Sequence, residues 1–518
     1  MSLSRREQRA TRLGLWCCCA LWAAAGCRST VRHAVAPPEP PVALADGALQ
    51  AALDQALAGL VATGAQVGFL VLDAQEARVL AAHRSTELFT PASTTKLITT
   101  AAVLHSVDPG RRFVTRLLLP PPDGDGLATG DAWLVGEGDP SFGSARTLRG
   151  GFRPDDTLAR AADAAFALGV RRVSGGVIGD GRVLPAPAFP PGWAWDDAAY
   201  AYSAPPAGLT LHEGVAWARL LSLDDTGPVA FLTPPTSLVR VRTGPQEMGR
   251  ALELVPAGTD VVARWRPGPA LVQQEEPVAL ADPAAYAAEQ LARALRARGI
   301  QVDGPARSAL AADGVPQGVT AFSRESPSVR ELCALTNHHS LNLHAETLLL
   351  QVGRLTRGDA SRAAGLEAVR GFLQSAGVTP AALRLVDGSG LSRMNLLAPA
   401  HLVAALRAAW MQDPAFLETL SVAGRAGSLE GRLVGTRLEG RMWGKTGSMT
   451  GHRNLAGALL TDEGRLLLFA FLAGGLVVPR AEVDAAVDRA LAALARVHVT
   501  SASSASWPGP LPSSARHP

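Results

Sequence analysis

The chain has 518 residues, 47% of them hydrophobic and 18% charged, which is too long for one ordinary core and too apolar for a disordered chain; two or more folded domains are expected. A formal net charge of +3 is too balanced for a nucleic-acid footprint, and no basic run occurs beyond the N-terminus.

The N-terminus pairs an Arg-rich start with an apolar run from Leu13 to about Ala25. That run is short for a bilayer span and suits a secretory signal over residues 1–26. Ala24-Ala25-Gly26-Cys27 resembles a bacterial lipobox, with Ala24 where Leu is usual. Cys27 is therefore the candidate lipidation site, which would tether the chain to a membrane on the periplasmic side of a bacterial envelope. Cys17, Cys18 and Cys19 would leave with the signal, so no disulfide framework is expected. Cys333, in VRELCALT, reads as a small buried hydrophobe. Residues 27–46 are Pro-rich and read as a tether.

Next, GALQAALDQALAGLVATG has helical apolar spacing, and AQVGFLVLDA and ARVLAAHR read as a hairpin. STTKLITTAAVLHSV reads as a helix entered near Pro91. From 111 to 281 the chain turns to Pro, Gly and short β-like runs, which reads as a mostly β insertion. Helical periodicity resumes with DPAAYAAEQLARALRARGI. Towards the far end, RMWGKTGSM reads as a strand, RNLAGALLTD and GRLLLFAFLAGG as a hairpin, and PRAEVDAAVDRALAALARV as an amphipathic helix. The two ends are alike in kind, so segments 47–110 and 282–500 are expected to form one α/β domain around an antiparallel sheet, interrupted by 111–281. Residues 501–518 have the composition of disorder.

The basic residues carry the sharpest signal. Of 49 Lys plus Arg, only Lys96 and Lys445 are lysine. Guanidinium stays charged in proteins, whereas an ammonium can lose its proton near neutral pH. Ser93 and Lys96 are three residues apart, which puts them on one helical face with the hydroxyl beside the amine. A neutral Lys is a competent base for a serine nucleophile. Lys445 sits in Lys445-Thr446-Gly447-Ser448, where the amine and hydroxyls suit a carboxylate and the glycine allows close approach of another backbone or of a ligand. Ser340 and Asn342, flanking Leu341, are two residues apart at a loop or helix entry. Singly, each motif is weak; S-x-x-K alone is met by chance. The ordered set S-x-x-K, S-x-N, K-T-G is that of penicillin-binding proteins and class A β-lactamases, and both lysines of the chain fall on its lysine positions. A second lysine charge nearby is expected to favour the neutral form of Lys96.

Further segments sharpen the match. SLNLHAETLL, VDGSGLSRMNLLAP, SVAGRAGSLEGRL, GEGDPSF, VIGDGRV and PPGWAWDD resemble the class C low-molecular-mass penicillin-binding proteins, D-alanyl-D-alanine carboxypeptidases that also act as endopeptidases, over roughly Ala51 to Val497. Leu341 stands where the family has Asp. The resemblance implies a serine β-lactamase/transpeptidase-like α/β domain with a large insert and no cofactor or metal. It implies that Ser93 attacks the penultimate D-alanine carbonyl of a peptidoglycan stem peptide and Lys96 takes its proton. Ser340 and Asn342 would relay that proton and orient the substrate. Lys445, Thr446 and Ser448 would hold the terminal carboxylate, with Gly447 among the substrate-binding residues. The N–H groups of Ser93 and Ser448 would form the oxyanion hole, and β-lactams would inhibit by acylating Ser93. It further implies that Asp180 meets the amine of the peptide's diamino acid, that Arg393 meets its carboxylate and that Met449 lines that pocket. Two alternatives share these residues, a β-lactamase-like hydrolase and a non-catalytic peptidoglycan-binding envelope lipoprotein. A class A β-lactamase needs a deacylating Glu, and FLQSAGVTPAALRLV offers no acid at that distance.

Overall fold

The two ends of the chain meet in one antiparallel sheet. The computed structural model describes residues 48–146, 151, 153–185, 189–222, 228–245, 252–257, 260–265 and 274–497. The expected signal segment, the tether, Cys27 and the 501–518 tail lie outside these residues.

Strand β1 (Gln66–Asp73) pairs on one side with β2 (Val79–His83) and on the other with β6 (Leu466–Gly474). The order across the six strands is β3 (Ser421–Val422), β4 (Met442–Met449), β5 (His452–Leu460), β6, β1, β2. Alternation along the strands divides the side chains between two apolar cores. Val67, Phe69 and Val71 of β1, with Phe469 and Phe471 of β6, face the helices α1 (Ala48–Ala62) and α7 (Arg480–Ala495). Leu70, Leu72, Leu468 and Leu472 face α2 (Thr95–Ser106), α5 (Arg362–Ser375) and α6 (Pro399–Gln412). Helix α7 presents Val483, Val487, Ala490, Leu491 and Leu494 to the sheet at helical spacing, as its sequence pattern predicts. The fold is thus the expected α/β layering around an antiparallel sheet. Cys333 lies buried and free in α3 (Val329–His339), among Val103, Phe113, Leu332 and Val352.

The insertion is mostly β, but its packing does not end at Ala281. A five-stranded mixed sheet runs in the order 306–308, 177–180, 132–136, 114–119, 319–325. The helix Pro283–Ala297 buries Tyr286, Leu291 and Leu295 in the same apolar cluster as Leu117 and Leu134 of that sheet. The inserted unit therefore extends to about Glu325 by strand pairing. Helical periodicity at Pro283 marks a helix of the insertion, not the return to the first domain. Three further three-stranded sheets belong to it among the described residues: one of 215–222, 228–233 and 274–279, one of 240–245, 252–257 and 260–265, and one of 127–128, 172–173 and 301–302. Among the described residues, no helix is long and apolar enough to cross a membrane.

Candidate active site

Ser93 sits in a 3-10 turn, Ala92–Thr94, that runs directly into α2. Ala92, just before it, holds φ at 47°, in the left-handed region that non-glycine residues seldom occupy. The turn is overdetermined by its surroundings, as such strain requires. Thr94 and Thr95 donate their hydroxyls back to Pro91 O (2.7 Å) and Ala92 O (2.9 Å). Asn454 of β5 donates Nδ2 to Thr90 O (3.0 Å) and Pro91 O (2.8 Å) and accepts the Ala473 N–H (3.1 Å).

Two glycines let other segments lie against this turn. A Cβ on Gly447 would fall 2.6 Å from Pro91 O and 3.1 Å from Thr94 N, so β4 reaches the turn only because Gly447 has no side chain. A Cβ on Gly390, at φ +79°, would fall 1.9 Å from Ala92 O, so the 387–392 loop closes on the turn from another side. The expected strand with a close-approach glycine is what forms, and the approaching chain is the Ser93 turn.

Lys96 is fully buried one helical turn on. Its Nζ lies 2.9 Å from Ser93 Oγ, 2.5 Å from Asn342 Oδ1 and 2.6 Å from Ser389 O. Burial lowers its pKa from the usual 10.5 to about 7, while the carboxylates of Asp387 and Glu346 pull the other way. Lys445, also fully buried, donates from Nζ to Ser340 Oγ (2.9 Å) and Thr446 O (2.8 Å). Its pKa is held well below the ordinary lysine value by burial first, then by the charges of Lys96 and Arg453. The sequence expects Lys445 to favour the neutral form of Lys96, and the structure adds burial as the main force on both amines. A charge on Lys96 thus disfavours the charged form of Lys445.

Ser340 ends α3 in the left-handed conformation (φ 58°, ψ 39°), and Asn342 opens α4 (Asn342–Arg357). The S-x-N segment is therefore a sharp corner between two helices, and both side chains turn towards the lysines. Asn342 Nδ2 donates to Tyr202 O of the insertion (2.8 Å), which ties the inserted unit to this corner. Thr446 donates its hydroxyl to Ser428 Oγ (2.9 Å), and Ser448 Oγ accepts from Arg453, whose guanidinium makes a two-pronged pair with Asp484. The short β3 pairs only with Trp443 and Gly444, so its ladder stops before the K-T-G residues.

Sequence reasoning missed a carboxylate pair behind the lysine. Glu346 is fully buried and accepts the N–H groups of Gly388 (2.9 Å) and Ser389 (2.7 Å). Asp387 accepts from the N–H of Gly390 (2.8 Å), the N–H of Ser392 (2.7 Å) and Trp193 Nε1 (2.9 Å). Together they fold the 387–392 loop that presents Ser389 O to Lys96. Burial and the Asp387 charge push the Glu346 carboxyl up to about 7. Both acids stand in quoted sequence, HAE and VDGSG, but only tertiary burial shows what they do. Arg453 carried no sequence signal beyond its place on a strand.

The three outlying residues fare differently. Asp180 is not brought to the cluster. Its carboxylate pairs with Arg182 two residues on (2.7 Å), in a recess lined by Val135, Val183 and Asp313. Burial would raise its pKa, but the Arg182 bonds outweigh it and hold the carboxyl below the ordinary range. Arg393 is exposed, with its N–H on Gly192 O (3.4 Å); burial first, and then the Arg393 charge, lowers the pKa of His452, the residue opposite Met449 in the β4–β5 register. Arg393 and Met449 thus both lie near His452, at the turn end of the hairpin. No group of three or more His, Cys, Asp or Glu that could hold a metal occurs among the described residues.

The model of the D-Ala-D-Ala carboxypeptidase 3 (S13) family matches residues 49–496. The chain is 31% identical over 457 residues to a D-alanyl-D-alanine carboxypeptidase of Actinomadura sp. (strain R39), covering 82% of each chain. It is 27% identical over 427 residues to the D-alanyl-D-alanine carboxypeptidase DacB of Haemophilus influenzae, covering 80% of this chain and 86% of that one. The crystal structure of H. influenzae penicillin binding protein 4 (dacB) superposes with a TM-score of 0.73 at 22% identity, over 86% of this chain and 99% of the other. The same protein has also been solved complexed with a β-lactam.

Proposed function

The chain belongs to the D-Ala-D-Ala carboxypeptidase 3 (S13) family of serine peptidases, and from that premise we propose that Ser93 is the nucleophile of an acyl-enzyme mechanism acting on peptidoglycan stem peptides. The observation that carries the reading is Lys96, fully buried and 2.9 Å from Ser93 Oγ.

Neutral Lys96 takes the Ser93 proton as Oγ attacks the penultimate D-alanine carbonyl. The N–H groups of Ser93 and Ser448 hold the developing oxyanion, usually a large share of catalysis. The last C–N bond breaks, and the proton passes through Ser340 to the leaving amine. Lys445, Thr446 and Ser448 hold the terminal carboxylate, Arg453 adds positive charge behind Ser448, and Gly447 keeps that strand against the nucleophile. Asn342 orients the substrate amide. Water then attacks the ester, Lys96 taking its proton, and Ser93 is restored. The same steps cleave a cross-link when the leaving amine belongs to a second stem peptide, so endopeptidase activity follows from the same residues. A β-lactam mimics the D-Ala-D-Ala end and acylates Ser93; the H. influenzae complex with a β-lactam supports this for the shared fold. Arg393 and Met449, at the turn end of the hairpin, recognise the diamino-acid end of the peptide. Such a substrate puts the enzyme on the periplasmic side of a bacterial envelope, with 1–26 as its signal and Cys27 as its lipid anchor.

Intact-mass analysis after benzylpenicillin tests the reading. A single penicilloyl adduct is expected on the wild type and none on Ser93→Ala. Absence of the adduct on the wild type overturns the mechanism, and rapid turnover of nitrocefin replaces it with a β-lactamase.

A further inference from the structure

We propose that the cavity on the Ser340–Asn342 side of the cluster is the subsite for the side-chain arm of the leaving amino acid, and that it takes a linear aliphatic arm ending in an amide. The inference rests on the acyl-transfer reading above. If the leaving residue's carboxylate sits on Lys445 and Ser448 and its nitrogen faces Ser340, its side chain points off β4 across the S-x-N corner.

A cavity of about 280 Å³ lies there, with Ser340 and Asn342 in its wall. The methyl group of a leaving D-alanine would leave most of it empty. The far wall is built by the insertion. Trp217 and Pro277 stand opposite each other on paired strands, and Tyr202, whose carbonyl accepts from Asn342, closes one side. These surfaces suit methylenes. The remaining lining carries balanced charge: Glu213 and Arg146 bind each other through two bonds of 2.7 and 2.8 Å, and Ser144 donates to the same carboxylate at 3.2 Å. A fixed charge on the ligand is therefore not what the cavity is built to meet.

His344 of α4 supplies the polar end. It lines the cavity, is 1% exposed, and neither ring nitrogen has a hydrogen-bond partner among the described residues. Burial lowers its pKa to about 4, so it is a neutral imidazole with one donor and one acceptor. A buried polar group of this kind calls for a partner, and an amide, which both donates and accepts, matches it. The arm of a cross-linking diamino acid has this shape, an aliphatic chain that continues into a peptide bond. The insertion thus builds the part of the site that distinguishes a cross-link from a free D-alanine terminus.

The test compares two stem-peptide analogues, one ending in D-Ala-D-Ala and one in D-Ala-(Nε-acetyl-D-lysine), for wild type, Trp217→Ala, Trp217→Phe and His344→Leu. One methylene contact in an apolar pocket is worth about 10–200-fold in discrimination. Trp217→Ala and His344→Leu are each expected to lower kcat/KM for the acetyl-lysine peptide at least about tenfold relative to that for the D-alanine peptide. Trp217→Phe should recover most of the ratio. An unchanged ratio in both variants overturns the proposal, as does a wild type that releases D-alanine but not acetyl-lysine. Variants that lose penicilloyl labelling as well have lost their fold, and the decision then rests on Trp217→Phe, whose ratio must lie within a few fold of wild type. A wild type that takes no penicilloyl group removes the acyl-transfer reading itself and this proposal with it.

Discussion

Lys96 Nζ and Ser93 Oγ lie 2.9 Å apart with the lysine wholly out of solvent. A buried amine costs least when neutral, and a neutral amine at that distance accepts the hydroxyl proton. Arginine cannot serve as such a base. Lys96→Arg and Lys96→Met should each slow acylation of Ser93 by benzylpenicillin by about 10²–10⁴-fold, the usual share of a general base. Timed intact-mass spectra give the rate, and far-ultraviolet circular dichroism controls for folding. Acylation within a few fold of wild type in either variant would sink the assignment.

The pKa of about 7 sets a pH dependence. Lys96 is charged and unable to accept a proton below that value, and neutral above it. Acylation should rise about tenfold per pH unit below 7 and level off above it, as for a single essential base. An acylation rate that is flat from pH 5 to 8 would contradict a lysine base.

Glu346 tunes that base through the loop it holds. It takes the N–H of Ser389, whose carbonyl takes the Lys96 amine at 2.6 Å, and its negative charge raises the Lys96 pKa. Glu346→Gln keeps an acceptor for the loop and removes the charge. Since a nearby anion stabilises the ammonium form, its loss lowers the Lys96 pKa. The acid limb of the acylation profile should move to lower pH by well under about one unit, since Glu346 itself gives up its charge as the pH falls through about 7. Asp387 and the Lys445 amine face the same space and stay in place, which keeps the shift modest. A limb that moves to higher pH would refute this account.

How much of this was legible before folding depended on whether the signal was local. Lys96 and Lys445 stood out because every other basic residue is arginine, and Gly447 because a strand glycine marks a close approach. Ser340 and Asn342 were found by order along the chain, although the left-handed corner that aims them was not. Glu346 was not legible, because its raised pKa comes from a loop 42 and 43 residues away that buries it. Asp180 was legible as a motif residue, but not its pairing with Arg182, which only the folded chain shows. The insertion's end was set too early because a helix looks alike in either unit, and the later strands, 306–308 paired with 177–179 and 319–325 paired with 114–119, show which unit owns it.

Asn454 is a test of how the nucleophile turn is held. It is 3% exposed and bonds two carbonyls of the turn and one N–H of β6. Asn454→Ala leaves these buried groups without their partner, a cost of about 1–3 kcal/mol. The thermal midpoint should fall by about 1–3 °C in a chain of this length, and acylation should slow because the strained Ala92–Ser93 segment loses its brace. A midpoint within about 0.3 °C of wild type would show that the bonds to the turn contribute nothing net.

Gly447 separates misplacement from instability. Its missing Cβ lets β4 approach Pro91 O, and a methyl group there would meet that oxygen at 2.6 Å. Backbone sits on both sides of the contact, so Gly447→Ala must push the strand off the Ser93 turn by several tenths of an ångström. The same strand carries Lys445, Thr446 and Ser448. A shift of about 1 Å in a reacting geometry costs on the order of 10²-fold. Release of D-alanine and penicilloyl labelling should therefore both fall by about that factor. The control is Gly59→Ala on helix α1, where a Cβ meets nothing within 4 Å and alanine favours the helix. That variant should label like wild type. If Gly447→Ala also labels like wild type, the strand is not held against the nucleophile as described, and the oxyanion hole assigned to Ser93 and Ser448 fails with it.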